Sequence, residues 1–208
     1  HLPENRSVYT FCMCPGGYVV NASSEENSIT VNGMSNNARD GENANSALLV
    51  NVMPTDLKGD DLLAGCYLQQ EIEHNAYRIG NGKVPITTVG NFLFDDENKI
   101  GKVKPTVKPN TVFANMEDIF PSFITDALKS ALPMLDMKLH GFADSEAIIS
   151  APETRSSSPV RIIRDNGNES VSIKGLFPCG EGAGYAGGIV SAAVDGLMSA
   201  EALINSIR

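Results

Sequence analysis

The hydrophobic pattern begins with four short segments that resemble β-strands. Between residues 7 and 52, the runs SVYTF, GYVVN, SITVN and SALLVNV are rich in β-branched, aromatic and aliphatic residues and are separated by Gly, Asn and Ser. This alternation of strand formers and turn formers predicts four strands. The connection from Gly33 to Asn45, GMSNNARDGENAN, is polar and predicts a long loop.

A helical period follows the predicted strands. Apolar residues recur every four positions from Ala64 to Ala76, which predicts a helix over residues 61–78 that ends at Gly80. Residues 83–115 contain several prolines and glycines and therefore predict an irregular crossing with little regular structure.

A second helix is predicted from Asp118 to Leu132, where apolar residues again lie on one face. Pro133 follows and is expected to break or kink this helix, because proline lacks the backbone N–H that the helix needs.

The last third of the chain predicts three strands, EAIIS, PVRII and SVSIK, with a turn over residues 165–169 between the last two. The run GLFPC then predicts a short buried strand, and a helix is predicted from Gly187 onward. Apolar residues of that helix recur at helical spacing and are expected to face inward. They are Ile189, Val190, Ala193, Val194, Leu197, Ala200, Ile204 and Ile207.

The composition is that of a globular protein of 208 residues, with a formal net charge of −9 and a pI of about 4.8. This charge argues against a nucleic-acid partner, which would require clustered Lys and Arg. No apolar run is long enough to predict a membrane span. The four cysteines form no CxxC pair and no zinc pattern, so we predict no metal site and a reduced, cytoplasmic protein. The opening HLPENR lacks Met and suggests a piece of a longer protein.

The stretch GEGAGYAGG, from Gly180 to Gly188, lies between a predicted strand and a predicted helix. Glycine lets a ligand approach the backbone, and the first turn of a helix offers free N–H groups. This order predicts a site for an anion or an electron-rich carbonyl, with Gly187 and Gly188 as contact points. The alternative is a loop that needs positive φ at several positions and binds no ligand.

Several motifs in order carry a resemblance to a known family: VYTFCMCPGG, NGMSNNARDGENANSALLV, HGF, ETRSSSPVRI and GLFPCGEGAGYAGGIVSAAVDG. The chain resembles, over nearly its whole length, the C-terminal portion of the largely uncharacterised bacterial FAD-dependent dehydrogenases, in the two-dinucleotide-binding-domain flavoprotein superfamily. The N-terminal GxGxxG segment of that family is missing from this chain.

The resemblance implies that FAD is the cofactor, with NAD(P)H as a candidate electron donor. It implies that Glu181 lies near the ribityl and phosphate part of FAD, and that Gly187, Gly188 and Ile189 lie near the pyrimidine edge of the flavin. The alternative for Glu181 is an ordinary carboxylate at a helix N-terminus. The implied cofactor-binding residues are Gly180, Glu181, Gly182, Gly184, Gly187, Gly188 and Ile189.

Cys14 and Arg155 are the catalytic candidates. Cys12 and Cys14 lie two apart on a predicted strand, so both thiols are expected on one surface, facing the flavin or the substrate. The alternative is that they are two small half-buried residues. Arg155 is a natural clamp for a carboxylate or phosphate.

Polar loops supply the substrate-binding candidates, Arg39, Asn43, Asn45 and Ser156. The alternative for these residues is turn chemistry, which favours the same residue types. At positions matching about Thr87 and Asn91 the family usually has Gln and Asp, and this departure puts a substrate role of that segment in doubt.

Together these observations predict an α+β fold in two parts. Residues 1–150 would form a β-rich substrate domain with packed helices. Residues 151–208 would form the C-terminal part of the FAD-binding domain, and would supply a strand and a helix of a Rossmann-like sheet.

The predicted function is that of a fragment of an FAD-dependent oxidoreductase, inactive by itself, which acts on an undetermined small molecule. Its expected partner is the missing N-terminal FAD-binding half, and exposed sheet edges also make a homo-oligomer an expectation. The alternatives are a fragment of a tRNA-modifying type of flavoprotein, which the acidic charge opposes, and a non-catalytic binding or scaffold domain.

Overall fold

A computed structural model describes residues 6–97 and 99–207, and it confirms the predicted α+β class. The chain divides into two compact units. Unit 1 comprises the described residues up to Asp56 together with Gln70–Thr154, and unit 2 comprises Leu57–Gln69 and the described residues from Arg155 on. In chain order, the elements are β1 Val8–Asn21, β2 Val31–Ser35, β3 Asn43–Val50, α1 Ala64–Gly80, β4 Val84–Thr88, α2 Val89–Phe94, β5 Val107–Lys108, β6 Thr111–Phe113, α3 Ser122–Asp136, β7 Ile148–Ser150 and α4 Ile189–Ser206.

The first sheet of unit 1 is built around the long strand β1. β2 and β3 pair antiparallel to β1, and β5 pairs parallel to its C-terminal end. The prediction of two separate strands, SVYTF and GYVVN, is wrong because β1 is continuous through the residues between them. Between Phe11 and Gly17, two β-bulges in the pairing with β3 accommodate the extra residues of β1, where a turn was predicted.

The second sheet of unit 1 corrects the prediction that residues 83–115 are irregular. β4 is buried along its whole length and lies between β6, to which it is parallel, and β7, to which it is antiparallel. Pro85 misled the prediction, since proline is usually excluded from central strands. Its carbonyl still accepts a hydrogen bond from the Ala151 N–H at 3.1 Å, so the strand loses a donor but keeps its acceptor.

Helices α1, of which Gln70–Gly80 belongs to unit 1, and α3 follow the apolar periodicity. α1 has the predicted position, and its C-terminus is closed by Asn81 and Gly82 in left-handed conformations. Pro133 was expected to break or kink the helix, and the break is wrong, because α3 continues through Pro133 to Asp136. The core of unit 1 includes Ile29, Val31, Ile72, Ala76, Val84, Ile86, Met116, Ile119, Ala127 and Leu132.

Unit 2 has one long helix of its own, α4, and an irregular segment before it. Strands were predicted for PVRII, SVSIK and GLFPC, and this is wrong: from residue 155 to 207 the backbone forms only an isolated bridge, between Arg164 and Ser170. The predicted turn over residues 165–169 is confirmed. Within this turn, the Gly167 and Glu169 N–H groups donate to the Asp165 carboxylate, at 2.8 and 3.0 Å.

The apolar side chains of α4 are exposed, so the prediction that they face inward is wrong within this chain. Ile189 is 88% exposed, Leu197 67% and Ile207 77%, while the buried position of α4 is Ser199. A helix buries an apolar face only where another layer covers it, and unit 2 has no regular strands among its described residues to form that layer. In the part of the chain that the structure describes, none of the helices is long and apolar enough to cross a membrane.

Candidate functional site

The glycine-rich loop of unit 2 contains glycines of two kinds, and the first kind is required by the fold. Gly180 and Gly184 have φ of +73° and +84°, which side chains other than glycine rarely adopt. A Cβ on Gly184 would also lie 2.5 Å from the Val160 carbonyl oxygen. These two glycines therefore agree with the expectation that the loop needs positive φ.

The second kind of glycine has no such requirement. Gly182 and Gly187 are not in the left-handed region, and the φ of Gly188 is −159°, which is ordinary extended backbone. A Cβ on Gly182 would meet no atom within 4 Å, and one on Gly187 would lie 4.0 Å from Ser157 Oγ. Neither the backbone nor the packing of unit 2 thus explains glycine at Gly182 and Gly187.

The loop leads directly into the N-terminus of α4. Gly188 caps the helix, and its N–H donates to Ser191 Oγ at 3.2 Å. Ile189 and Val190, in the first turn, are exposed. The positive end of the helix dipole is therefore open next to the glycines that have no steric role.

A charged pair holds the start of the loop. Arg164 and Asp195 form a two-pronged ion pair, with N–O distances of 2.6 and 3.1 Å. Asp195 Oδ2 also accepts the Gly180 N–H at 2.8 Å. The hydrogen bonds from Arg164 and, secondly, from Gly180 hold the pKa of the Asp195 carboxyl below its usual range, so this carboxylate is ionised at neutral pH.

The serine segment before Arg164 contacts the same loop. Ser158 Oγ donates to the Gly182 carbonyl, with an oxygen–oxygen distance of 3.1 Å. Ser156 is half-buried and Arg155 is exposed in this segment. The structure thus brings Ser158 of the predicted ETRSSSP segment against the predicted cofactor loop within unit 2.

The candidates of unit 1 gather around the β1 bulges. Cys14 pairs with Asn45 of β3, and Asn43 pairs with Gly17. Cys12 is exposed and has a φ of 49°, so the bulge interrupts the alternation that would have placed both thiols on one surface.

The two asparagines support the sheet. Asn43 Nδ2 donates to the Lys104 carbonyl at 2.6 Å, and Asn45 Nδ2 donates to the Tyr18 carbonyl at 3.3 Å. The Asn45 side chain also packs over Gly33, where a Cβ would lie 2.1 Å from its Oδ1. Both amides therefore have a structural role in addition to any contact with a substrate.

Arg39 reaches the same region through its backbone. Its side chain is exposed, its φ is 51°, and a Cβ on Gly16 would lie 1.9 Å from its carbonyl oxygen. This close approach of the Arg39 carbonyl explains why position 16 is glycine. The Arg39 guanidinium lies at the surface.

Thr87 and Asn91 line one polar pocket of unit 1, with a volume of about 210 Å³. Thr87 Oγ1 donates to Asn91 Oδ1 at 3.0 Å. At the rim, Lys129 Nζ lies 2.5 Å from Glu117 Oε1. The two positions that depart from the family pattern are therefore neighbours in space. Among the described residues, this pocket included, no group of three or more His, Cys, Asp and Glu side chains could hold a metal ion.

Sequence reasoning missed Arg161, Arg164, Tyr185 and Asp195, which hold the glycine-rich loop. A signal was present in Asp195, the only charged residue in the run from Ile189 to Ala200, which is otherwise made of apolar residues, glycine and two serines. A carboxylate within such a run is unfavourable unless it is paired, and here Arg164 is its partner.

Comparison with known proteins gives two findings. A family model described as "FAD-dependent protein, C-terminal domain-like" matches residues 1–156, and therefore ends before the glycine-rich loop. A protein of Clostridium beijerinckii, described as an uncharacterized protein, is 46% identical over 202 residues, which are 96% of this chain and 38% of that protein. The chain thus spans 38% of the length of this curated relative.

Proposed function

Because the chain belongs to the FAD-dependent protein, C-terminal domain-like family, we propose that it is the C-terminal part of an FAD-dependent oxidoreductase. The observation that carries this proposal is the open backbone at Gly182 and Gly187, where the fold itself does not require glycine. A ligand that contacts this backbone would require it.

The residues present suit the flavin end of FAD. Gly182, Gly187 and Gly188 leave room for a ligand, and the first turn of α4 offers N–H donors to its carbonyl edge. Glu181 follows Gly180 and is the candidate contact to the ribityl part. When bound, FAD would supply hydride or electron transfer, with NAD(P)H as the proposed donor. The helix dipole would favour negative charge at the pyrimidine edge.

Unit 1 is proposed as the substrate-binding part. Cys14, Asn43, Asn45 and the Arg39 backbone meet at the β1 bulges, and bulges are common next to active sites. Cys14 is the proposed thiol of this region. Within unit 2, and independently of unit 1, Arg155 and Ser156 are the proposed contacts to an anionic group of a ligand.

The proposed partner is the remainder of a longer protein. The relative from Clostridium beijerinckii extends well beyond this chain, and α4 exposes a row of large apolar side chains. Large exposed apolar patches usually mark an interaction surface. In this proposal the remaining part of the protein supplies the sheet that covers α4 and holds the other end of FAD.

Single alanine substitutions test whether the open glycines contact FAD. In the full-length protein, Gly182→Ala and Gly187→Ala should lower the affinity for FAD about tenfold or more, because each new methyl group displaces the ligand. The melting temperature of the apo-protein should stay unchanged, since each methyl group enters open space. Flavin fluorescence titration measures the affinity.

Gly196→Ala is the matched control, because a Cβ there also meets no atom within 4 Å and Gly196 lies within α4 instead of the loop. It should leave the affinity for FAD unchanged. Wild-type affinity in Gly182→Ala and Gly187→Ala would contradict the proposed site and would favour a loop with purely structural glycines.

A further inference from the structure

We propose that Asp195 is a positioning residue that holds the glycine-rich loop in its ligand-binding conformation. This inference rests on the proposed function, and it adds four residues that were not among the sequence-predicted site residues: Asp195, Arg164, Tyr185 and Arg161. Its basis is that one carboxylate joins the loop, the preceding segment and α4 within unit 2.

Asp195 reaches the loop from the second turn of α4. Its Oδ2 accepts a hydrogen bond from the N–H of Gly180, the residue before Glu181, at 2.8 Å. Gly180 has a left-handed φ of +73°, and its N–H donates to this carboxylate while its backbone is in that conformation. The hydrogen bond to the carboxylate therefore stabilises this backbone conformation of Gly180. The conformation of Gly180 in turn determines the direction of the backbone through Glu181 and Gly182.

Arg164 fixes Asp195 in turn. Besides the ion pair, its guanidinium donates to the Pro178 carbonyl at 2.8 Å and to Ser199 Oγ at 3.4 Å. The side chains of Arg164 and Asp195 are 11% and 13% exposed. A guanidinium with this many fixed partners cannot follow the carboxylate if the loop moves, so the pair acts as a rigid anchor.

Tyr185 closes the network at the far end of the loop. Its ring lies under the Arg164 guanidinium, with 3.7 Å from the guanidinium carbon to the ring centre. Its backbone N–H donates to the Gly180 carbonyl at 3.0 Å. Its hydroxyl donates to the Ile162 carbonyl at 3.0 Å.

A second arginine clamps the same end. Arg161 Nε donates to the Gly184 carbonyl at 3.0 Å. Gly184 is thus bonded to Arg161, and Gly180 is bonded to Asp195, the ion-pair partner of Arg164, while a Cβ on Gly182 between them would meet open space. This arrangement would present the open glycine at a defined place before any ligand arrives, which reduces the entropy cost of binding.

The test uses Asp195→Asn in the full-length protein. Asparagine keeps the shape and one acceptor oxygen but loses the charge that pairs with Arg164. We expect the FAD dissociation constant to rise about tenfold or more, in line with the loss of a charge-assisted hydrogen bond. Glu201→Gln is the matched control, because it removes one negative charge from the exposed surface of the same helix, and it should leave the dissociation constant unchanged.

Hydrogen exchange of the apo-protein separates positioning from general stability. Asp195→Asn should accelerate amide exchange in the peptide that covers residues 180–188, while exchange in the C-terminal half of α4 stays as in the wild type. Arg164→Lys keeps the charge but lacks the planar fork, and it should show the same local acceleration to a smaller degree.

Each outcome is decisive. If the wild-type protein binds FAD and Asp195→Asn binds it equally well, the positioning role is overturned while the proposed function stands. If exchange accelerates throughout unit 2, Asp195 is a general stability residue and the inference is again overturned. If the wild-type protein binds no FAD, the proposed function itself fails.

Discussion

A buried ion pair in unit 1 joins Arg6 to Asp56. The two side chains are 1% and 7% exposed, and the guanidinium contacts both carboxylate oxygens, at 2.6 and 2.8 Å. Phe123 lies 4.4 Å from the guanidinium carbon. The Arg6 hydrogen bond is the main cause that holds the pKa of Asp56 below its usual range. A buried pair of this kind is costly to break, because the remaining charge stays without its counter-ion.

Asp56→Ala should lower the free energy of unfolding by about 3–5 kcal/mol at neutral pH. A carboxyl whose folded-state pKa is depressed adds stability above its unfolded-state pKa, and this stability is lost as the pH falls. The difference between wild type and Asp56→Ala should therefore shrink below about pH 4. Urea unfolding at neutral pH and at about pH 3 measures both effects.

The exposed pair Glu97 and Lys99 provides the control, with side chains 79% and 74% exposed. Glu97→Ala should change the free energy of unfolding by less than about 1 kcal/mol. A difference between wild type and Asp56→Ala that does not depend on pH would show that the ion pair is not the cause of the lost stability.

At the residue scale, glycine chemistry was the most predictable part of the candidate site. The sequence located the loop and the helix that follows it, because glycine and helical periodicity are local signals. The sequence could not show that the fold requires glycine at position 184 and does not require it at position 182. That distinction depends on the distance from Gly184 to the Val160 carbonyl, which only the fold determines. Arg164 and Asp195 were missed for the same reason: 30 residues separate them, and only the fold brings them together.

At the scale of elements, helices were predicted better than strands. Helices α1 and α4 have their predicted positions, because the hydrogen bonds of a helix are internal to it. A strand needs a partner, so PVRII and GLFPC have strand-like composition but no ladder in unit 2. The buried β4 was missed because Pro85 within it, and Pro105 and Pro109 farther along the chain, resemble loop signals.

The apolar face of α4 leads to a prediction about its partner. In the 208-residue chain, Leu197→Ser should change the free energy of unfolding by less than about 0.5 kcal/mol, because Leu197 is 67% exposed. In the full-length protein, the same substitution should cost about 2–5 kcal/mol, because the rest of the protein is proposed to bury that side chain. Urea unfolding of both proteins measures the difference.

Leu132 of α3 is 2% exposed and serves as the control. Leu132→Ser should cost about 2–5 kcal/mol in both proteins. An effect of Leu197→Ser that is equally small in the full-length protein would contradict the proposed covering of α4. A cost in the 208-residue chain that grows with protein concentration would point to a second copy as the partner.

At the scale of the whole molecule, the family is shown by the sequence over residues 1–156, and the cofactor site is proposed in the segment that follows. The acidic charge of −9 is the basis of the prediction that the chain has no nucleic-acid partner, and that stays a prediction. The grouping of the candidates Cys14, Asn43 and Asn45 could not be predicted from the sequence. It depends on the bulges in the pairing of β1 with β3, which only the fold determines.

The flavin content of the full-length protein tests the central claim most directly. The protein is purified in the dark, and its absorbance near 450 nm is compared with its concentration after the flavin has been released by heat. We predict about one FAD per chain, identified by its mass. A protein that carries no flavin, and that takes up none on incubation with excess FAD, would contradict the account.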